Sequence, residues 1–126
     1  MSEGTKISEA EWRVCQVLWL QSPMTANEIV ARLEDRTDWS PRTVKTLINR
    51  LVKKNILGYE NHGREYHYFP RLSEKECVLA QTQSFVKRVF DGAAGAMVAA
   101  FIENQQLSAE EVDELRQILG KKADNK

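Results

Sequence analysis

The sequence has little of several features that would indicate membrane insertion or secretion. It has 126 residues with only two cysteines and three prolines, and its longest apolar run is the seven residues from Ala96 to Ile102. A bilayer-spanning helix needs about 20 apolar residues. The first twelve residues also lack the basic and apolar regions of a secretory signal peptide. We therefore expect a cytoplasmic protein with reduced thiols and no membrane insertion.

Recognisable catalytic and metal-binding motifs are also missing. The sequence contains no G-x-S-x-G, P-loop, H-E-x-x-H or C-x-x-C motif. Its two histidines, His62 and His67, flank an expected turn, far in sequence from Cys15 and Cys77. We therefore expect no enzymatic activity, no cofactor and no metal. Both cysteines fall within helical apolar patterns and are expected to be buried.

An excess of charge of one sign is missing too, because 18 basic residues balance 18 acidic ones. A zero net charge by itself argues against a nucleic-acid-binding protein. The distribution of the charge reverses this inference. Residues 40–72 carry seven basic and two acidic side chains, a net charge of +5, and no acidic residue occurs from Ser40 through Tyr59.

Serine and threonine residues mark the expected starts of the helices. The sequence pattern of a capping box occurs at Ser8, Thr25, Ser73 and Ser108. Ser40 followed by Pro41 predicts the start of another helix. We expect helix ends near Leu20, near Asn55, at Asp91-Gly92 and at Gly120, with a helix over about 93–104 and fraying from Lys121.

Two short segments interrupt the helical pattern. Ile56–Glu60 and Glu65–Phe69 are rich in β-branched and aromatic residues, and Asn61–Arg64 between them predicts a four-residue hairpin loop. Three helices followed by a hairpin are the order of a winged helix-turn-helix. We therefore predict a mainly α protein with a small β-hairpin wing, made of a DNA-binding domain over residues 1–72 and a helical dimerisation region over residues 73–126.

The third helix has two distinct faces. Val44, Leu47, Ile48, Leu51 and Val52 form an apolar stripe, and the opposite face is polar or basic. An α-helix fits the major groove of DNA, where arginine and threonine contact bases and lysine contacts phosphates. We also expect Arg64, at the tip of the wing, to contact the minor groove or phosphate. The predicted DNA-binding residues are Ser40, Arg42, Thr43, Lys45, Thr46, Asn49, Arg50, Lys53 and Arg64.

The role of the hairpin tyrosines, Tyr59, Tyr66 and Tyr68, is open from the sequence. They fit a stacking platform for single-stranded nucleic acid, but residues at alternate hairpin positions more often pack on neighbouring helices.

The segment after residue 72 carries more apolar surface than 54 residues are expected to cover alone. A two-fold dimer would bury it and would present two third helices to DNA about 34 Å apart. The alternative is packing against the chain's own winged helix. The predicted dimerisation residues are Val78, Phe85, Val89, Phe90, Met97, Phe101, Val112, Leu115 and Leu119.

Nearly the whole chain resembles the penicillinase repressor family (BlaI/MecI/CopY-type regulators). The strongest match is W-S-P-R-T-V-K-T-L-I-N-R-L-V-K-K, from Trp39 to Lys54. It continues in I-S-E-A-E-W-R-V, M-T-A-N-E-I-V, G-R-E-Y-H-Y-F-P and L-S-A-E-E-V-D-E-L. The resemblance implies a homodimeric winged-helix repressor of palindromic DNA operators, in the branch that regulates antibiotic resistance.

In the β-lactam branch the resemblance further implies relief of repression by proteolysis. A membrane sensor-protease, or a protease downstream of it, cleaves the repressor before a phenylalanine in the dimerisation region. The matching bond joins Ala100 and Phe101, where alanine replaces the expected polar residue. The C-x-C metal hook of the copper branch is absent, since no cysteine follows Cys77. Release by a directly bound ligand, and a winged helix used only for protein–protein contacts, are the alternatives.

Overall fold

A computed structural model of the chain describes residues 6–124, which form six helices and three strands. This part of the chain divides into two compact units between Phe85 and Val86. The helices are α1 (Glu9–Leu20), α2 (Ala26–Glu34), α3 (Pro41–Lys53), α4 (Glu74–Phe90), α5 (Ala94–Asn104) and α6 (Ala109–Asp124), and the strands are β1 (Met24–Thr25), β2 (Leu57–His62) and β3 (Glu65–Pro70).

The predicted helix starts are confirmed by their hydrogen bonds. Ser8 Oγ accepts a bond from the backbone N–H of Glu11 at 3.1 Å, and Glu11 Oε1 accepts one from the N–H of Ser8 at 2.8 Å. Such reciprocal bonds satisfy N–H groups that have no partner within the helix. The same arrangement joins Thr25 to Glu28, Ser73 to Glu76 and Ser108 to Glu111.

The core of the first unit lies between α1, α2, α3 and the sheet. Its fully buried side chains include Leu18, Ile29, Ile48, Leu51 and Leu57. These five residues come from α1, α2, α3 and β2, so the core holds the three helices and the hairpin together.

The two cysteines are free and buried in this same core, as predicted. Burial, and to a lesser degree the neighbouring Cys77, raises the pKa of Cys15 to about 12. The beginning of α4 therefore belongs to the first unit. The predicted functional division after residue 72 stays a prediction.

The sheet has three antiparallel strands in the order β1-β3-β2. Strand β1 was not predicted; its residues Met24 and Thr25 pair with Tyr68 and His67 of β3. The predicted four-residue hairpin loop is wrong, because β2 extends to His62 and leaves only Gly63 and Arg64 in the turn. Gly63 has φ +72°, a left-handed conformation that suits glycine in a two-residue turn.

The ends of the helices are partly as predicted. Asn55, Asp91 and Gly92 have positive φ angles, as expected of helix stops. The predicted stop at Gly120 is wrong, because α6 continues to Asp124. Gly120 is compatible with helix, and basic side chains in the last turn favour the helix dipole. Fraying therefore does not begin at Lys121, and residues 125–126 lie outside the described residues.

The second unit, residues 86–124, leaves most of its apolar side chains accessible. Val86 is the one apolar side chain in its described residues that is buried, and no residue of α5 or α6 is. Phe101 is 59% exposed, Ile118 60% and Leu119 62%. An apolar surface of this kind is typical of a part of a protein that associates with another copy or partner.

Candidate nucleic-acid interface

The orientation of α3 follows from which of its side chains are buried. Val44, Leu47, Ile48 and Leu51 are buried, and α3 packs against α1, α2 and β2. Ser40 caps the helix and Pro41 occupies its first turn, as predicted. With the apolar stripe fixed against the core, the opposite face of α3 is turned to solvent.

The structure leaves every predicted DNA-binding side chain exposed. Eight lie on α3 or at its cap and the ninth, Arg64, lies at the tip of the hairpin: Ser40, Arg42, Thr43, Lys45, Thr46, Asn49, Arg50, Lys53 and Arg64. The exposed face of α3 carries four basic side chains and no acidic one. Such a face has the charge that suits a polyanion.

Three of the nine side chains have hydroxyl groups that are engaged within the helix. Ser40 Oγ accepts a bond from the N–H of Thr43 at 3.2 Å and lies 3.1 Å from Thr43 Oγ1. Thr46 Oγ1 donates to the backbone carbonyl of Arg42 at 3.0 Å. Ser40 and Thr43 therefore also stabilise the start of α3.

A groove separates α3 from the hairpin and brings two of the predicted residues together. Lys45 and Arg64 line one end of it, a space of about 210 Å³, with Asn27 from the start of α2 and Tyr66 from β3. Two cations and the N-terminus of a helix thus border one concave surface, together with a single carboxylate, that of Glu65. The charge of the lining is net positive, which favours anions.

The other end of the groove is aromatic. Asn49 and Lys53 of α3 line it with Tyr59, Tyr66 and Tyr68, around a space of about 300 Å³. Tyr59 and Tyr66 are each 45% exposed and stack with a ring-centre distance of 4.4 Å, whereas Tyr68 is buried. Burial raises the pKa of the Tyr68 hydroxyl. Tyr68 therefore packs into the core, as one of the two expectations for the hairpin tyrosines had it. Tyr59 and Tyr66 instead stack on each other at the edge of the groove.

Arg42, Thr46 and Arg50 do not line this groove. The nine predicted residues therefore divide into one set on the outer face of α3 and another that faces the hairpin.

Asn27 was missed by the sequence-based prediction. It is an exposed residue in the first turn of α2, two positions after the Thr25 cap. The cap itself was the available signal, because it places the next residues at a helix N-terminus.

The ion pair between Lys54 and Glu11 was missed as well. Lys54 Nζ donates to Glu11 Oε1 at 2.7 Å and to the backbone carbonyl of Lys6 at 2.9 Å. The bonds tie the C-cap of α3 to the start of α1. This pair adds to the core packing of α3 and uses none of the nine predicted DNA-binding side chains.

The histidines of the hairpin lie close to each other. The ring centres of His62 and His67 are 4.6 Å apart, and His62 Nε2 lies 3.5 Å from Glu60 Oε1. Within residues 6–124, no group of three or more His, Cys, Asp or Glu side chains is placed to hold a metal ion. Over the same residues, no helix combines the length and apolar character needed to cross a membrane.

Three helices with a buried core, a capped third helix with an exposed basic face, and an antiparallel hairpin beside it define a winged helix-turn-helix protein. The family model for the penicillinase repressor matches residues 7–121. The chain belongs to the penicillinase repressor family.

Individual relatives match the chain over nearly its full length. It is 39% identical to the penicillinase repressor of Bacillus licheniformis over 119 residues, which is 94% of this chain and 93% of that protein. It is 34% identical to the methicillin resistance regulatory protein MecI of Staphylococcus aureus (strain N315) over 117 residues, which is 93% of this chain and 95% of MecI.

Two solved structures match the winged-helix part. The solution structure of the DNA-binding domain of the repressor BlaI is 37% identical, with a TM-score of 0.53. The solution structure of monomeric Bacillus licheniformis BlaI in complex with the blaP half-operator is also 37% identical, with a TM-score of 0.51. Each match covers 56% of this chain and 87% of the solved one.

Proposed function

We propose that this protein is a cytoplasmic, sequence-specific DNA-binding transcriptional repressor that places α3 in the major groove of its operator. The observation that carries the proposal is the exposed, acid-free face of α3 from Ser40 to Lys53. The solved complex of a 37% identical BlaI with the blaP half-operator supports it.

The exposed side chains of α3 suit two different tasks according to their chemistry. Arg42, Thr46 and Asn49 follow one stripe of α3 and are assigned to base edges, because arginine and asparagine form bidentate hydrogen bonds with guanine and adenine. Lys45, Arg50 and Lys53 are assigned to phosphates, which position the protein without reading sequence.

The groove between α3 and the hairpin is assigned to one sugar–phosphate strand. Lys45 and Arg64 supply charge there, and Asn27 at the start of α2 supplies a side-chain amide beside the helix N-terminus. The exposed rings of Tyr59 and Tyr66 offer a flat apolar wall for a sugar.

The active form in this proposal is a homodimer on a palindromic operator. The exposed apolar side chains of the second unit support it, since a second copy would bury Phe101, Ile118 and Leu119. We keep the predicted division of labour, with DNA binding by residues 1–72 and dimerisation by residues 73–126. The beginning of α4 additionally completes the core of the DNA-binding part.

Relief of repression is assigned to cleavage between Ala100 and Phe101 by a membrane sensor-protease or a protease downstream of it. This bond lies inside α5, so the helix has to open before a protease can bind the chain in extended form. The start of α5 at Ala93 lacks a side-chain cap, which favours such opening.

A selection experiment tests the proposal. A random duplex pool is enriched with the full chain, and the affinity for the selected duplex is compared with that of Arg42→Ala and Lys45→Ala. We expect each variant to bind more weakly than the wild-type chain. Arg42→Ala is expected to lose sequence preference, whereas Lys45→Ala is expected to lower the slope of log K against log salt concentration by about one. Arg13→Ala, on the exposed side of α1, is the control.

The result also separates the alternatives. Failure to enrich any duplex would favour a winged helix that binds only proteins. Binding that is abolished by small molecules, with the chain left intact, would favour a ligand-released regulator.

A further inference from the structure

Thr46 differs from its neighbours on the outer face of α3 in what it can offer to DNA. Its Oγ1 donates to the backbone carbonyl of Arg42 at 3.0 Å. A threonine hydroxyl has one hydrogen, and in Thr46 that hydrogen is used inside the helix. The exposed side chain therefore presents a methyl group and an oxygen lone pair, but no donor.

This restricts which base edges Thr46 complements. In the major groove guanine offers the acceptors N7 and O6, adenine offers N7 as its acceptor, and thymine offers the acceptor O4 together with its C5 methyl group. A side chain without a free donor gains nothing from these acceptors. The base groups that Thr46 can still contact favourably are the thymine methyl group and the amino groups of adenine and cytosine.

The neighbours of Thr46 favour the methyl group. Arg42 lies one turn before it and Asn49 nearly one turn after it, and both have side chains rich in hydrogen-bonding groups. The methyl group of Thr46 thus lies between two polar side chains on the exposed face of α3. We propose that Thr46 reads a thymine in each half-site through contact between its methyl group and the C5 methyl of the base. This inference rests on the proposed function and adds the base that one residue selects.

The experiment removes the two methyl groups separately. Each thymine of the selected duplex is replaced in turn by deoxyuridine, which lacks only the C5 methyl. We expect one thymine per half-site at which this change weakens binding by the full chain about three- to tenfold, the size expected for one buried methyl group.

Two variants identify the group on Thr46 that is responsible. Thr46→Ser lacks the methyl and is expected to bind the thymine duplex as weakly as the wild-type chain binds the deoxyuridine duplex, with no further loss on deoxyuridine. Thr46→Val keeps a methyl and is expected to keep the discrimination. Thr82→Ser is the matched control, because Thr82 is an exposed residue of α4 that makes the same hydroxyl bond, to the carbonyl of Val78 at 2.8 Å.

Two results would overturn the inference while leaving the proposed function intact. One is a selected duplex in which no deoxyuridine effect depends on Thr46. The other is unchanged binding by Thr46→Ser with loss of binding by Thr46→Val, which would show an amino group read through the hydroxyl oxygen. If the full chain selects no duplex, both the inference and the proposed function are contradicted.

Discussion

Lys54 and Glu11 form an ion pair in which Nζ and Oε1 lie 2.7 Å apart, although the two residues are 43 positions apart in the sequence. The Glu11 side chain is 2% exposed and the Lys54 side chain 32%. Glu11 also accepts the backbone N–H of Ser8 in the first capping box. One carboxylate therefore stabilises the start of α1 and anchors the end of α3.

Loss of the Glu11 charge is expected to destabilise the fold. Glu11→Gln keeps the shape of the side chain and leaves Lys54 with a weaker, neutral partner. Hydrogen bonds to charged groups contribute about 1.5–3 kcal/mol, and partial exposure of Lys54 places the expected loss at about 1–2 kcal/mol. The free energy of unfolding in urea measures it. Glu9→Gln, on the same turn but exposed, is expected to stay within about 0.5 kcal/mol of the wild-type chain; equal stability of the two variants would contradict the role of the pair.

The same pair predicts a pH dependence of stability. Burial raises the pKa of Glu11, but the hydrogen bonds from Lys54 and Ser8 and the charge of Lys54 outweigh burial, so the pKa lies below its ordinary value of 4.5. The unfolded chain therefore binds a proton more readily, and the contribution is present above pH 4.5 and lost as the pH falls through the lower folded pKa. Wild-type and Glu11→Gln stabilities are expected to converge below pH 4.5. A difference in the free energy of unfolding between the two chains that stays constant from pH 7 to pH 3 in urea titrations would contradict this.

Substitution of an exposed apolar residue of the second unit is expected to abolish the proposed dimer. Phe101→Glu places a charge on a side chain that is 59% exposed in the single chain, so the cost falls on association and not on folding of the protomer. Sedimentation velocity at micromolar concentration is expected to show a dimer for the wild-type chain and a monomer for the variant. Gln105→Glu adds the same charge at the exposed C-cap of α5 and is the control. A wild-type chain that sediments as a monomer would contradict the dimer.

Proteolysis between Ala100 and Phe101 is expected to slow when α5 is made more stable. Gly95 lies in the first turn of α5, and a Cβ added there meets nothing within 4 Å. Gly95→Ala is expected to stabilise the helix by about 0.5–1 kcal/mol, which corresponds to roughly two- to fivefold slower cutting when opening precedes cleavage. A protease that cuts before large apolar residues, followed by mass spectrometry, gives the rate at this bond. Gly120→Ala makes the same change in α6, where space is also open, and an equal slowing in both variants would argue against local opening of α5.

The helix starts were predictable because their signals are local. A capping box needs only a serine or threonine and a glutamate three residues later, and Ser8, Thr25, Ser73 and Ser108 all form the expected bonds. The exposed face of α3 was predictable for a similar reason, since the period of its apolar residues determines which face is buried.

Features that depend on distant pairing were not predictable in this way. Strand β1 has two residues, Met24 and Thr25, and exists only because β3 lies beside it. The bond from Lys54 to Glu11 likewise requires the finished packing of α1 against α3. Gly120 misled the prediction because glycine is common after helices but is also tolerated inside them, at a cost of about 1 kcal/mol.

The short strand β1 has a consequence for how the protein adapts to DNA. Thr25 is buried, caps α2 and pairs with His67 of the hairpin, so the start of α2 and the wing are joined through one residue. The start of α2 and the hairpin, which both border one end of the groove, therefore cannot move independently. A duplex whose backbone does not match the groove has to bend or twist to fit, and the stiffness of each base step then enters the binding free energy. Operators are expected to be distinguished by their deformability as well as by their base edges.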